Sequence, residues 1–79
     1  MTRATFTEKA ERFRELLVAA REESGLTQVQ VAERLRKPQS YVSKIERGER
    51  RLDIIEFFEL AEILKIDPIE FLQTLQRKH

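Results

Sequence analysis

Four times in this chain a side chain suited to capping a helix is followed three residues later by Glu or Gln. The pairs are Thr5 with Glu8, Thr27 with Gln30, Asp53 with Glu56, and Asp67 with Glu70. In such a pair the first side chain accepts the N–H three residues on, and the second reaches back to the first residue's own N–H. Two backbone donors that a starting helix leaves open are thereby satisfied. Pro68 strengthens the fourth start, because a first helical residue has no use for its N–H. Three starts also have an apolar residue before the cap and another five places later: Leu26 with Val31, Leu52 with Phe57, and Ile66 with Phe71. Marks this dense specify helices and where they begin.

Apolar spacing agrees. Phe6, Ala10, Phe13, Leu17 and Ala20, with Leu16 beside them, recur at three- and four-residue steps and define helix 1, which Gly25 stops. Helix 2, about 28–35, buries Val31, Ala32 and Leu35. Helix 3, about 39–47, buries Val42 and Ile45 and ends at Gly48. Helix 4, about 54–64, offers Ile54, Phe57, Phe58, Leu60, Ala61, Ile63 and Leu64. Helix 5, about 68–77, offers Ile69, Phe71, Leu72 and Leu75. Two Gly and two Pro in 79 residues argue against an all-β fold, which needs many turns. The expectation is an all-α, compact bundle of five helices forming a single domain over residues 1–79, with its core in about 9–72.

A net charge of +1 conceals an uneven distribution. Residues 1–24 balance. Residues 25–52 carry seven basic residues (Arg34, Arg36, Lys37, Lys44, Arg47, Arg50, Arg51) against Glu33, Glu46 and Glu49, a net +4. Residues 53–79 carry −3. The positive charge therefore gathers on helices 2 and 3 and the loop after them, where a polyanion would be attracted.

On helix 3, Gln39, Ser40, Ser43 and Lys44 fall on the side opposite Val42 and Ile45. Gln can pair with an adenine edge through two hydrogen bonds, and Lys reaches guanine O6 and N7. Gln39, Ser40 and Lys44 are therefore expected to read bases of double-stranded DNA. The shorter Ser43 suits a phosphate, as do Arg47, Arg50 and Arg51 at the end of the helix and beyond. Gln28, at the outward N-terminus of helix 2, also suits a phosphate. Tyr41 either stacks on the sugar-phosphate backbone or covers helix 2.

Residues 25–51 resemble the Cro/C1-type helix-turn-helix of the Xre family, on the anchors Leu26-Thr27-Gln28, Ala32, Leu35, Ser40-Tyr41-Val42-Ser43 and Ile45-Glu46-Arg47-Gly48. The likeness extends over about residues 9–72. It implies a lambda-repressor-like DNA-binding domain with the helix-turn-helix at helices 2 and 3. It also implies an ion pair between Arg21 and Glu46, and contact of Gln28 with both a phosphate and Gln39. The chain departs from the family at Arg36, where Gly is common at a positive φ, and at Pro38, where a Ser or Thr cap is common.

Helices 4 and 5 hold more large apolar side chains than one small core covers, which points to an interface. A homodimer through Phe58, Ile66, Ile69, Leu72 and Leu75 would set two helices 3 in successive major grooves of a palindromic site. The resulting expectation is a sequence-specific, DNA-binding transcriptional regulator. The rival is a protein-interaction module, antitoxin-like or binding a regulator's partner through the apolar C-terminal helices. With no Cys, a single His at the last position and no glycine-rich phosphate loop, the residues propose no catalytic or metal site, no cofactor and no small-molecule ligand. The polar N-terminus and the lack of a long apolar run favour a cytoplasmic protein without a membrane segment.

Overall fold

The computed structural model describes residues 7–77 and consists there of five helices. They are α1 Glu8–Ser24, α2 Gln28–Leu35, α3 Gln39–Glu46, α4 Ile54–Leu64 and α5 Pro68–Gln76. Two starts carry the full reciprocal cap. Thr27 Oγ1 accepts from Gln30 N while Thr27 N donates to Gln30 Oε1. Asp53 and Glu56 do the same at α4. At α5, Asp67 accepts from Ile69 N and Glu70 N, without the return bond from Glu70.

The first start lies elsewhere than expected. Thr7 caps α1, its hydroxyl accepting from Ala10 N at 3.0 Å. A lone hydroxyl suffices to satisfy that donor. The expected cap Thr5 and the apolar Phe6 lie outside the described residues. At the other ends, α3 closes one residue early, at Glu46 with Arg47 as its cap, and α5 stops at Gln76.

Two helices end on a left-handed residue that is not Gly. Arg36 after α2 has φ 61°, and Lys65 after α4 has φ 59°. Each hands its chain into a reversal in which the next N–H reaches back five residues, Lys37 N to Ala32 O at 2.9 Å and Ile66 N to Ala61 O at 3.0 Å. The conformation foreseen at Arg36 is therefore adopted despite the Cβ. Pro38 then sits directly before α3 and offers no side-chain hydrogen bond to it.

Leu17, Val31, Ala32, Val42, Ile45, Phe57, Leu60, Leu64 and Phe71 form one buried cluster fed by all five helices. Val31 is completely buried, and Ala32 is 2% exposed between α2 and its neighbours. The rings of Phe13, Phe57 and Phe71 meet at 5.2–5.8 Å between centroids and join α1, α4 and α5. Phe57 and Phe71 are buried and Phe13 is partly buried. Full burial of such a ring contributes about 1.5–3 kcal/mol. The staple residues Leu26, Leu52 and Ile66 pack on this cluster. Arg12 reaches from α1 to the Thr74 carbonyl in the last turn of α5 (3.3 Å). Leu35 is only partly buried, and Ile54 departs from its expected place in the core, being 55% exposed on the first residue of α4.

Candidate nucleic-acid interface

Burial on α3 separates two faces. Val42 and Ile45 are each 4% exposed and fix the inner side to the core. Gln39, Ser40 and Lys44 stand exposed on the outer side. Ser43 is half-buried, and its hydroxyl donates back to the Ser40 carbonyl at 3.3 Å. The outer row therefore carries an amide, hydroxyls and an ammonium on a rod whose rotation is set from behind.

The rod is also tied at both ends. Near its C-terminus, Glu46 takes two hydrogen bonds from the Arg21 fork, Nε to Oε2 at 2.7 Å and an Nη to Oε1 at 3.2 Å. The remaining Arg21 Nη donates to the Leu26 carbonyl at 3.0 Å. The ion pair implied by the family resemblance thus exists and joins α1, the loop before α2, and α3. The hydrogen bond to Glu46 raises the Arg21 pKa above its ordinary value, against the opposing effect of burial. The pair extends toward the N-terminus of α3. Gln28 Nε2 donates to Glu46 Oε1 at 2.8 Å, and Gln39 Nε2 donates to Gln28 Oε1 at 3.2 Å.

The loop after α3 is organised around Tyr41. The Arg50 guanidinium carbon lies 4.4 Å from the ring centre, and Lys37 Nζ lies 5.1 Å from it. Such cation–ring contacts are worth about 0.5–1 kcal/mol when exposed. Arg50 also binds both carboxylate oxygens of Glu56, at 3.1 and 3.3 Å, and the Arg51 carbonyl at 2.7 Å. Glu56 is at the same time the return arm of the α4 cap. Arg50, followed by the Asp53 N–H, pulls the Glu56 pKa down to about 2. Burial pushes the Tyr41 hydroxyl up, with the Glu56 charge adding to it. This cluster was not foreseen. Tyr41 is nine positions from Arg50, and no local pattern announces a pair that only the closed fold brings together.

Of the other expected contacts, Arg47 holds Glu49 through two hydrogen bonds of 3.0 and 3.1 Å, both side chains being more than half exposed. The fork is engaged but stays at the surface, where such pairs exchange readily. Arg51 is exposed, as are Arg34, Arg36 and Lys37. Phe58 and Ile69 are 42% and 56% exposed, whereas Ile66, Leu72 and Leu75 are half-buried. Ile55 at 63% and Val29 at 46% are further exposed apolar side chains. Among the described residues no cluster of His, Cys, Asp and Glu is placed to hold a metal ion, and no helix is long and apolar enough to cross a membrane.

The sequence model of the helix-turn-helix family matches residues 17–71, which takes in the Arg21–Glu46 pair, α2, α3 and all of α4. This chain belongs to the helix-turn-helix family. The type is that of Cro/C1, the DNA-binding domain of transcriptional regulators. The protein is similar to the uncharacterized HTH-type transcriptional regulator y4dJ of Sinorhizobium fredii, with 42% identity over 50 residues. That match spans 63% of this chain and 65% of the relative's length. It is also similar to a solved structure, the XRE-family like protein from Pseudomonas syringae pv. tomato. There the identity is 43% and the TM-score 0.83, over 86% of this chain and 83% of the other. The helix-turn-helix itself is α2 and α3 with the Arg36-Lys37-Pro38 turn between them.

Proposed function

We propose that this helix-turn-helix protein is a sequence-specific regulator that lays α3 in the major groove of double-stranded DNA. Gln39, Ser40 and Lys44 read base edges there. The observation that carries the reading is the contrast along α3: these three side chains are exposed while Val42 and Ile45, at 4% exposure, hold the opposite side rigidly to the core. A fixed rod of hydrogen-bonding groups is what direct readout requires.

Gln28, Ser43, Arg47 and Arg51 contact phosphates on either side of the groove in this reading. Arg50 is assigned differently from Arg47 and Arg51, because Glu56 and Tyr41 hold its guanidinium in a part-buried cluster, whereas the Arg47–Glu49 pair lies at the surface and Arg51 is exposed. It shapes the loop that carries Arg51 and adds charge to it.

Two copies pair in this reading, so that their α3 helices meet successive major grooves of a palindromic operator, about 34 Å apart. The support is the exposed Phe58 on α4 and Ile69 on α5, with the half-buried Leu72 and Leu75 on α5 and the half-buried Ile66 in the turn between the two helices. Sedimentation at tens of micromolar is expected to give a dimer, and a monomer there excludes this arrangement.

The rival reading, a module that binds another protein through α4 and α5, differs in its response to salt. Binding through several phosphates must weaken by orders of magnitude between 50 and 200 mM salt, because each contact releases counterions. Fluorescence anisotropy of a labelled duplex titrated across that range tests the reading. A flat response, or no binding at low salt, favours the protein-interaction module.

A further inference from the structure

The four side chains Arg21, Glu46, Gln28 and Gln39 form a hydrogen-bonded series with a direction. Its first link is an ion pair in which each side chain is only 11–15% exposed. Arg21 can only donate, and an ionised carboxylate can only accept. An amide, by contrast, has one donating and one accepting end, and either end fits the same volume. Beside Glu46 Oε1 the choice disappears. Gln28 must turn its Nε2 toward the carboxylate, at 2.8 Å, which leaves its Oε1 facing α3. Gln39 must then turn its own Nε2 toward that oxygen, at 3.2 Å. The remaining groups of Gln39 are its Oε1 and its second Nε2–H.

We propose that Glu46 is a specificity-determining positioning residue, which acts through Gln28 to hold the Gln39 carbonyl toward the DNA and so selects a base that offers an amino group. This rests on the reading of α3 as the groove helix. Adenine fits best, since its N6 amino group donates to Oε1 while its N7 accepts the second Nε2–H. Cytosine offers only its N4 amino group. Guanine and thymine present acceptors alone on that edge, so they face the Gln39 oxygen with nothing to donate. Glu46 itself lies behind the reading face and touches no base in this arrangement.

The test is selection from a random duplex library, followed by affinity measurements on single-base variants of the recovered site. The proteins are wild type, Gln39→Ala, Glu46→Gln and Gln28→Leu. Glu46→Gln replaces an acceptor-only group by one that also donates. Gln28→Leu removes the middle of the series and leaves the Arg21–Glu46 pair whole, so it guards against any loss of folding in Glu46→Gln. Wild type is expected to require adenine at the base pair that Gln39→Ala renders indifferent. Both series variants should lower the adenine-over-guanine ratio there by roughly tenfold. A Gln39-dependent base pair that is not adenine overturns the proposal. So does a ratio that stays at the wild-type value while affinity falls for every sequence, which is the signature of a merely structural Glu46. If wild type enriches no sequence at all, the groove-reading assignment has failed as well, and the two failures are thereby told apart.

Discussion

The guanidinium carbon of Arg14 lies 2.8 Å from the point where a Cβ on Gly48 would stand. Arg14 comes from α1 and Gly48 from the turn that ends α3, so the missing side chain is what lets the two elements approach. Gly48 also has φ 78°, a conformation that costs an L-residue with a Cβ about 1–2 kcal/mol. Gly48→Ala is therefore expected to lose that backbone contribution and to displace Arg14 in addition. Gly25 offers an internal comparison, with φ 81° and nothing within 4 Å of a built Cβ. Gly25→Ala should lose the backbone contribution alone. Urea unfolding of both variants checks this, and equal losses would show that Arg14 moves aside without cost.

Arg36 holds the reverse situation, a Cβ where glycine is at ease. Its φ of 61° strains the turn between α2 and α3, and the side chain is exposed. Arg36→Gly removes the strain but loosens the unfolded chain, so the net expected gain is about 0.5–1 kcal/mol. The same change at Lys65, φ 59°, should act alike and additively, because the two turns share no partner. Thermal or urea unfolding of the single and double variants gives the result directly.

These two positions also show what the sequence discloses and what it hides. Caps were legible because both partners lie within three residues, as at Thr27 with Gln30 and Asp53 with Glu56. The same rule misplaced the start of α1. Thr5 with Glu8 has the complete pattern, but Thr7 caps alone, without a return arm, since its third residue on is Ala10. The family likeness marks Arg36, while Lys65 carries no such mark in the sequence and shows its left-handed conformation only in the folded backbone. Ile54 follows the spacing of Phe57 and Ala61, yet spacing cannot say how far along a helix its cover extends. The outer row of α3 was readable from helical period alone. Its link through Gln28 to Glu46 was only half readable, because those two residues are 18 positions apart.

Acid should expose the work of Glu56. Its carboxyl, ordinarily near 4.5, is held at about 2 by Arg50 and the Asp53 N–H. A carboxyl depressed in the folded state binds its proton more readily when the chain unfolds, so acid favours unfolding. The stability it contributes is full above pH 4.5 and falls away as pH drops from about 4.5 to about 2. Glu56→Gln has no such dependence at this position. Urea unfolding at pH 7 and at successively lower pH should show wild type ahead of Glu56→Gln at neutrality, with the gap closing toward pH 2. A gap that stays constant would place the benefit of Glu56 in packing rather than in charge.

Glu49 competes for Arg47. The carboxylate faces the guanidinium at 3.0 and 3.1 Å on an exposed surface, where a phosphate would have to displace it. Glu49→Gln removes that competitor and one repulsive charge near the DNA. Affinity is expected to rise roughly two- to fivefold for all duplexes alike at low salt, with the gain shrinking as salt is added. Anisotropy titrations at several salt concentrations measure it. Arg51→Ala should act in the opposite sense, weakening all sequences and lowering the salt slope by about one unit without loss of stability. Arg50→Ala differs in lowering stability too, by about 1 kcal/mol, since it also releases Tyr41 and Glu56.

Lys44 separates base reading from phosphate binding most sharply, because it is exposed on the outer row of α3 and is not part of the core. The decisive measurement is selection of duplexes from a random library by wild type and by Lys44→Ala, followed by affinities for each single-base variant of the recovered site. If α3 reads bases, wild type selects a defined motif and the variant loses preference at one base pair, worth about 1–3 kcal/mol, with the other positions unchanged. A variant that binds every sequence more weakly by one common factor, with its preferences intact, would contradict base reading and make α3 a phosphate-binding rod rather than a reader.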